Sequence, residues 1–138
     1  MTDRFLIDSN ILVYAFTNID PKKQKKAKEI IYKARDSTLG YISKQNIIEL
    51  INTNRKFSKN LSNKELQKII TGLESLKIID YSTTTIKKAL DIQTQTNIGF
   101  FDSLIIQTMI ENNIFVIFTE NEKDFKKIKN IFVINPFK

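Results

Sequence analysis

Short apolar runs alternate along the chain with longer stretches whose apolar residues recur every three or four positions, which predicts strands alternating with helices. Arg4 to Ile7 reads as a first strand ending at Asp8, and a turn at Asp8 and Ser9 leads into a short helix over Ile11 to Phe16. Asp20 followed by Pro21 marks a helix start. In that helix Ala27, Ile30, Ile31 and Ala34 share one face, while Lys22, Lys23, Lys25, Lys26 and Lys33 mostly point outward. Leu39 to Ile42 reads as a second strand, Ser43 as a helix cap, and Ile47, Ile48, Leu50 and Ile51 as the buried side of the next helix.

Ser62 with Glu65 three residues later is a capping box, and it opens a helix with Leu66, Ile69, Ile70 and Leu73 as its core stripe. Lys77 to Tyr81 is the third strand. Thr85 to Thr96 carries Ile86, Ala89 and Leu90 at helical spacing, Gly99 breaks it, and Asp102 to Asn112 starts a helix that is apolar almost all round and therefore central. Ile114 to Phe118 has the continuous apolar character of a buried parallel strand, and Ile131 to Ile134 repeats it after a short charged helix around Lys123 to Lys127. The order implies an α/β chain, a three-layer α/β/α sandwich around a mostly parallel sheet of about five strands. No repeat, low-complexity tract or Pro/Gly-rich linker divides residues 1–138, so a single domain is expected.

Composition narrows the chemistry. The chain has neither cysteine nor histidine, which removes thiol nucleophiles, disulfides, imidazole bases and Cys/His zinc sites. Catalysis would have to run on carboxylates, amides, hydroxyls or lysine. The net charge of +7 favours contact with an anionic polymer, although the abundance of Lys, Ile and Asn is equally what an AT-rich genome would produce. Met1 to Asp8 lacks the features of a signal peptide and no uncharged apolar run approaches membrane-spanning length, so a cytoplasmic protein without a membrane partner is expected.

In open parallel sheets ligands bind beyond the carboxyl ends of the strands, where the strand order reverses. Asp8 follows the first strand, and Thr119, Glu120, Asn121 and Asp124 follow the fourth; adjacency of those strands would bring both segments to one edge. Glu49 interrupts an apolar helix, with Asn46 and Thr53 at i−3 and i+4 forming a narrow polar stripe. Asp102 stands at a helix start, where the dipole favours an ionised carboxylate. Each residue alone has a plainer reading. Asp8 and Asp102 would serve as helix caps, Glu49 and Asp124 as surface charges, and Asn121 as a turn residue.

The segment Phe5-Leu6-Ile7-Asp8-Ser9-Asn10-Ile11-Leu12-Val13 resembles the opening of PIN-domain proteins, in which an apolar strand runs into an Asp-Ser/Thr-Asn turn. Ser43 to Leu50 resembles the second acidic motif of that family, Phe101-Asp102-Ser103-Leu104-Ile105 the third, and Thr119 to Phe125 the closing motif. The four stand in order over nearly the whole chain, whose length is similar to that of the VapC toxins of toxin–antitoxin pairs. Many relatives carry Asp where this chain has Asn121.

The resemblance implies a metal-dependent endoribonuclease whose catalytic acids are Asp8, Glu49, Asp102 and Asp124. Asp8, Glu49 and Asp102 would hold one or two Mg²⁺ or Mn²⁺ ions, hard cations that prefer oxygen and keep several waters. Asn10, Thr119 and Asn121 would play supporting roles. In-line attack by water would leave a 5′-phosphate and a 3′-hydroxyl. Lys22, Lys23, Lys25, Lys26, Lys56 and Lys59 are a candidate track for the RNA backbone, against the plainer reading of a solvated surface. A small antitoxin and a homodimer are the implied partners. The competing classes are a catalytically silent PIN-like binding module and a structure-specific DNA nuclease; a receiver-type signalling domain has no use for Glu49 in mid-helix.

Overall fold

The structure is a computed structural model and describes residues 3–58 and 61–138; Lys59 and Met1 lie outside the described residues. Five parallel strands form one sheet: β1 (Phe5–Ile7), β2 (Gly40–Ser43), β3 (Lys77–Ile79), β4 (Val116–Phe118) and β5 (Phe132–Ile134), in the order β3-β2-β1-β4-β5. Leu6 pairs with Tyr41 on one side and with Ile117 on the other, so β1 and β4 are neighbours and the order reverses between them. The helices are α1 (Ser9–Phe16), α2 (Pro21–Ser37), α3 (Lys44–Thr53), α4 (Asn63–Leu73), α5 (Thr83–Thr96), α6 (Phe100–Glu111) and α7 (Glu122–Phe125), with a π-helical turn at Asn54–Ser58. Among the described residues no helix is long and apolar enough to cross a membrane.

Strand alternation divides the core into two layers. Phe5, Ile7, Ile42, Val116 and Phe118 face a cluster built with Ile11 and Leu12 of α1, Ala27 and Ala34 of α2, Leu50 of α3 and Leu73 of α4. Leu6, Tyr41 and Ile117 face the other side, against Ile105, Ile106 and Met109 of α6. Every residue of β1 and β4 is buried, as the continuous apolar runs predict. Helix α2 lies so close to β2 that a Cβ at Gly40 would sit 2.0 Å from the Cβ of Ala34.

Several expectations need correction. The third strand stops at Ile79, because Asp80 turns to accept from the Tyr81 N–H and from Lys44. Ile48 is 57% exposed: α3 buries Leu50 together with the polar Gln45 and Asn46, so its inner face is narrower and more polar than the apolar run suggests. Leu90 is 50% exposed while Thr85 is buried, which rotates the inner face of α5 by a turn position. Helix α5 ends at Thr96 and is capped by Asn97, held at φ 62°, and Gly99 is the cap of α6 instead of the breaker of α5. Asparagine tolerates the left-handed region better than other side chains with a Cβ.

Candidate active site

The Asp8 turn is built at the point where the strand order reverses. Asp8 caps α1, accepting from the Ser9 N–H at 2.8 Å through Oδ1. Its Oδ2 accepts from the Thr119 hydroxyl at 2.7 Å and from Asn10 Nδ2 at 3.2 Å. The Asn10 amide donates also to Thr119 Oγ1, and its carbonyl oxygen accepts from the Glu120 N–H. Thr119 Oγ1 further accepts from the Asn121 N–H at 3.0 Å. These bonds lock the end of β1 to the end of β4. Capping and a site role are thus compatible in Asp8, since Oδ1 takes the capping N–H while Oδ2 is held by Thr119 and Asn10.

Glu49 reaches the same edge from the middle of α3, and Asp102 from the first turn of α6. Burial pushes the Glu49 carboxyl up to about 7, reinforced by Asp8 and Asp102, against a lowering bond from Gln45. Asp102 is pushed up to about 6, first by burial and then by Asp8 and Asp124, against a lowering bond from Asn121. Asp8 is also raised, by burial, with the bonds from Thr119, Ser9 and Asn10 opposing it. Desolvation and two neighbouring carboxylates thus work against the helix dipole at Asp102, yet at about 6 its carboxyl is still mostly ionised at neutral pH.

Asn121 and Asp124 both stand at the site. Asn121 Nδ2 donates to Asp102 Oδ2 at 2.9 Å and to Asp124 Oδ2 at 3.3 Å, so a neutral amide bridges two carboxylates. The polar stripe on α3 is drawn differently from the expectation. Asn46 turns back to complete the capping box with Ser43, and Gln45 is the residue that touches Glu49.

The lysines divide. Lys22, Lys25, Lys26 and Lys56 are exposed. Lys23 is half-buried: its ammonium is paired with Glu120, beside Tyr14, whose hydroxyl donates to Glu120 Oε1 at 2.7 Å. This triad tethers α2 to the segment after β4. Sequence reasoning missed it, and missed Gln45, because their partners are distant in the chain or sit on an unremarkable polar residue. A cavity of about 260 Å³ lined by Ser9, Asn10, Val13, Tyr14, Ile19 and Thr53 adjoins the Asp8 turn.

The donor set is all oxygen and self-repelling, and among the described residues no hydrogen-bond donor reaches Glu49 Oε2 or Asp102 Oδ1. Among those residues no three His, Cys, Asp or Glu side chains stand close enough together to hold a metal ion by themselves, so water would have to complete its shell. An open set of oxygens with spare lone pairs fits a hard divalent cation that retains several waters, and it does not fit a soft, fully protein-ligated metal.

Comparisons with known proteins agree with this geometry. A comparison with curated proteins gives no match. Among solved structures the chain is similar to a toxin–antitoxin complex from Klebsiella pneumoniae, at TM-score 0.71 and 21% identity over 96% of this chain and 98% of that one. It is similar to DNA-bound VapBC from Salmonella typhimurium, at TM-score 0.71 and 18% identity over 97% and 98%. The sarcin-ricin-loop-cleaving toxin VapC20 of Mycobacterium tuberculosis aligns at TM-score 0.69 and 10% identity over 86% and 91%. The PIN domain family model matches residues 5–131. With the sheet order, the Asp8 turn and the acids at its edge, that match shows that the chain belongs to the PIN-domain family.

Proposed function

We propose that the protein is a metal-dependent endoribonuclease, the toxin of a toxin–antitoxin pair, which hydrolyses RNA phosphodiesters with Mg²⁺ or Mn²⁺. The observation that carries this reading is the grouping of Asp8, Glu49 and Asp102, three buried carboxylates from distant parts of the chain, with Asp8 raising both of the others and Asp102 raising Glu49, at the edge where ligands bind parallel sheets. Structures of toxin–antitoxin complexes and of a sarcin-ricin-loop-cleaving toxin among the similar folds support it.

Asp8, Glu49 and Asp102 would hold the cation, with Asp124 and Asn121 closing the cluster. A bound divalent cation supplies Lewis acidity there, acidifying water and offsetting charge on the scissile phosphate. The chain's own part is placement. Thr119 and Asn10 fix Asp8 Oδ2, and Asn121 holds Asp102 and Asp124. Glu49, titrating at about 7, exchanges its proton with solvent near neutrality, so proton and cation compete for it. Lys22, Lys25, Lys26 and Lys56 would carry the RNA backbone. Water attack in line leaves a 5′-phosphate and a 3′-hydroxyl.

The similar complexes support a small antitoxin as partner, and the cavity beside the Asp8 turn offers it a seat. Exposed apolar side chains on α3 and α6, Ile48 and the 64%-exposed Phe101, support a homodimer. Cytoplasmic action is part of this reading.

The test is a panel of single-stranded and structured RNA and DNA incubated with purified protein in Mg²⁺, Mn²⁺ or EDTA. RNA cleavage that EDTA abolishes, with 5′-phosphate products, is the expected result. Preferential cutting of DNA would replace the substrate, and no cutting by the folded protein would favour the silent binding module.

A further inference from the structure

Gln45 is 4% exposed and sits one turn before Glu49 on α3. Its Nε2 donates to the Phe101 carbonyl at 2.8 Å and to Glu49 Oε1 at 3.2 Å. Phe101 immediately precedes Asp102, so both hydrogens of one amide are spent on joining the Glu49 carboxylate to the backbone that carries Asp102. The carbonyl of Phe101 can only accept, which fixes which way the amide faces. Its other atom, Oε1, is buried without a hydrogen-bond partner among the described residues. An unpaired buried acceptor is destabilising. A leucine or methionine would fill the space without that penalty, so packing alone does not account for an amide here.

We propose that Gln45 is a positioning residue: its side-chain amide ties Glu49 to the first turn of α6 and thereby sets Glu49 and Asp102 in the arrangement that takes a divalent cation. This rests on the metal-site reading above. The amide acts on both acids at once. It restrains the terminal torsion of Glu49, leaving Oε2 clear of donors, and it pins the backbone one residue before Asp102. Partners that orient metal-binding side chains in this way contribute about 10- to 100-fold in affinity.

The experiment measures Mn²⁺ binding by calorimetry without RNA, on the wild type and on Gln45→Met, Gln45→Leu, Asp8→Asn and Ile47→Ala. Circular dichroism and thermal melts show which variants are folded. Gln45→Met removes both donated bonds at nearly constant volume, and Gln45→Leu repeats the test with a different packing shape. Ile47→Ala perturbs α3 without touching an acid.

The expected result is Mn²⁺ binding about 10-fold weaker in the folded Gln45 variants, close to wild type in Ile47→Ala, and lost in Asp8→Asn. RNA cleavage in the Gln45 variants should fall in kcat with KM little changed. Wild-type affinity in a folded Gln45 variant would overturn the positioning role while leaving the metal site in place. Equal weakening by Ile47→Ala would also overturn it, as a general softening of α3. Failure of the wild type itself to bind Mn²⁺ would overturn the metal-site reading and this inference with it.

Discussion

The Thr119 hydroxyl donates to Asp8 Oδ2 across 2.7 Å, joining residues 111 positions apart at the ends of adjacent strands. Thr119 is fully buried, and its oxygen also accepts from Asn10 Nδ2 and from the Asn121 N–H. One hydroxyl therefore organises the first and the last motif of the chain. It also favours the charged form of Asp8, opposing the burial that raises its pKa.

Thr119→Val keeps the shape and removes the donor. Asp8 should move further up, and cleavage at neutral pH should fall by about 10-fold while the fold is kept. Steady-state kinetics beside a thermal melt checks this; a folded variant with unchanged kcat would show that the hydroxyl is only structural.

The acid cluster should make the cation-free protein more stable in mild acid. Asp8, Glu49 and Asp102 have folded pKa values above their ordinary ones, so the folded state binds protons that the unfolded state releases. The destabilisation, from burial first and from neighbouring carboxylates second, is fully present above about 7. It is relieved as pH falls through about 7 for Glu49 and about 6 for Asp102 towards their ordinary values of 4.5 and 3.8. In EDTA the Tm should rise from pH 8 to pH 5, and Glu49→Gln should flatten the rise. Saturating Mn²⁺ should raise the Tm most at pH 8, where the buried carboxylates are charged and cation binding offsets the cost. A Tm that falls steadily from pH 8 to pH 5 in EDTA would contradict the coupling.

Replacing Lys22, Lys25 and Lys26 together by alanine should weaken RNA binding. If each contacts one phosphate of a single strand, the slope of log affinity against log salt should drop by about 2. Lys23→Ala should behave differently and lower the Tm, because it breaks the tie to Glu120 and Tyr14 that holds α2 beside the site. Filter binding across a salt series separates the two; equal salt slopes for wild type and triple variant would remove the track.

Much of this was legible in the chain, for identifiable reasons. Strand β4 is a continuous apolar run because it is buried on both faces, and Asp8 is conspicuous because a charge ends the first such run. The capping box at Ser62 and Glu65 is local and is found as expected. What was illegible depends on tertiary partners. Ile48 is exposed because α3 turns Gln45 and Asn46 inward, a choice set by Ser43 and by the Phe101 carbonyl. Asp102 looks favoured as an anion from its helix alone; only the folded site shows Asp8 and Asp124 beside it. Lys23 looks like one more surface lysine until Glu120 is brought to it by β4.

On the proposed function, Asp8 belongs to a cation-dependent cutting site. The direct measurement is RNA cleavage in Mn²⁺ by wild type, Asp8→Asn and Asp102→Asn, each shown to be folded by circular dichroism. Loss of cleavage in both variants, with melts no lower than that of the wild type in EDTA, is the expected result. A folded Asp8→Asn protein that cuts RNA at the wild-type rate would contradict the account.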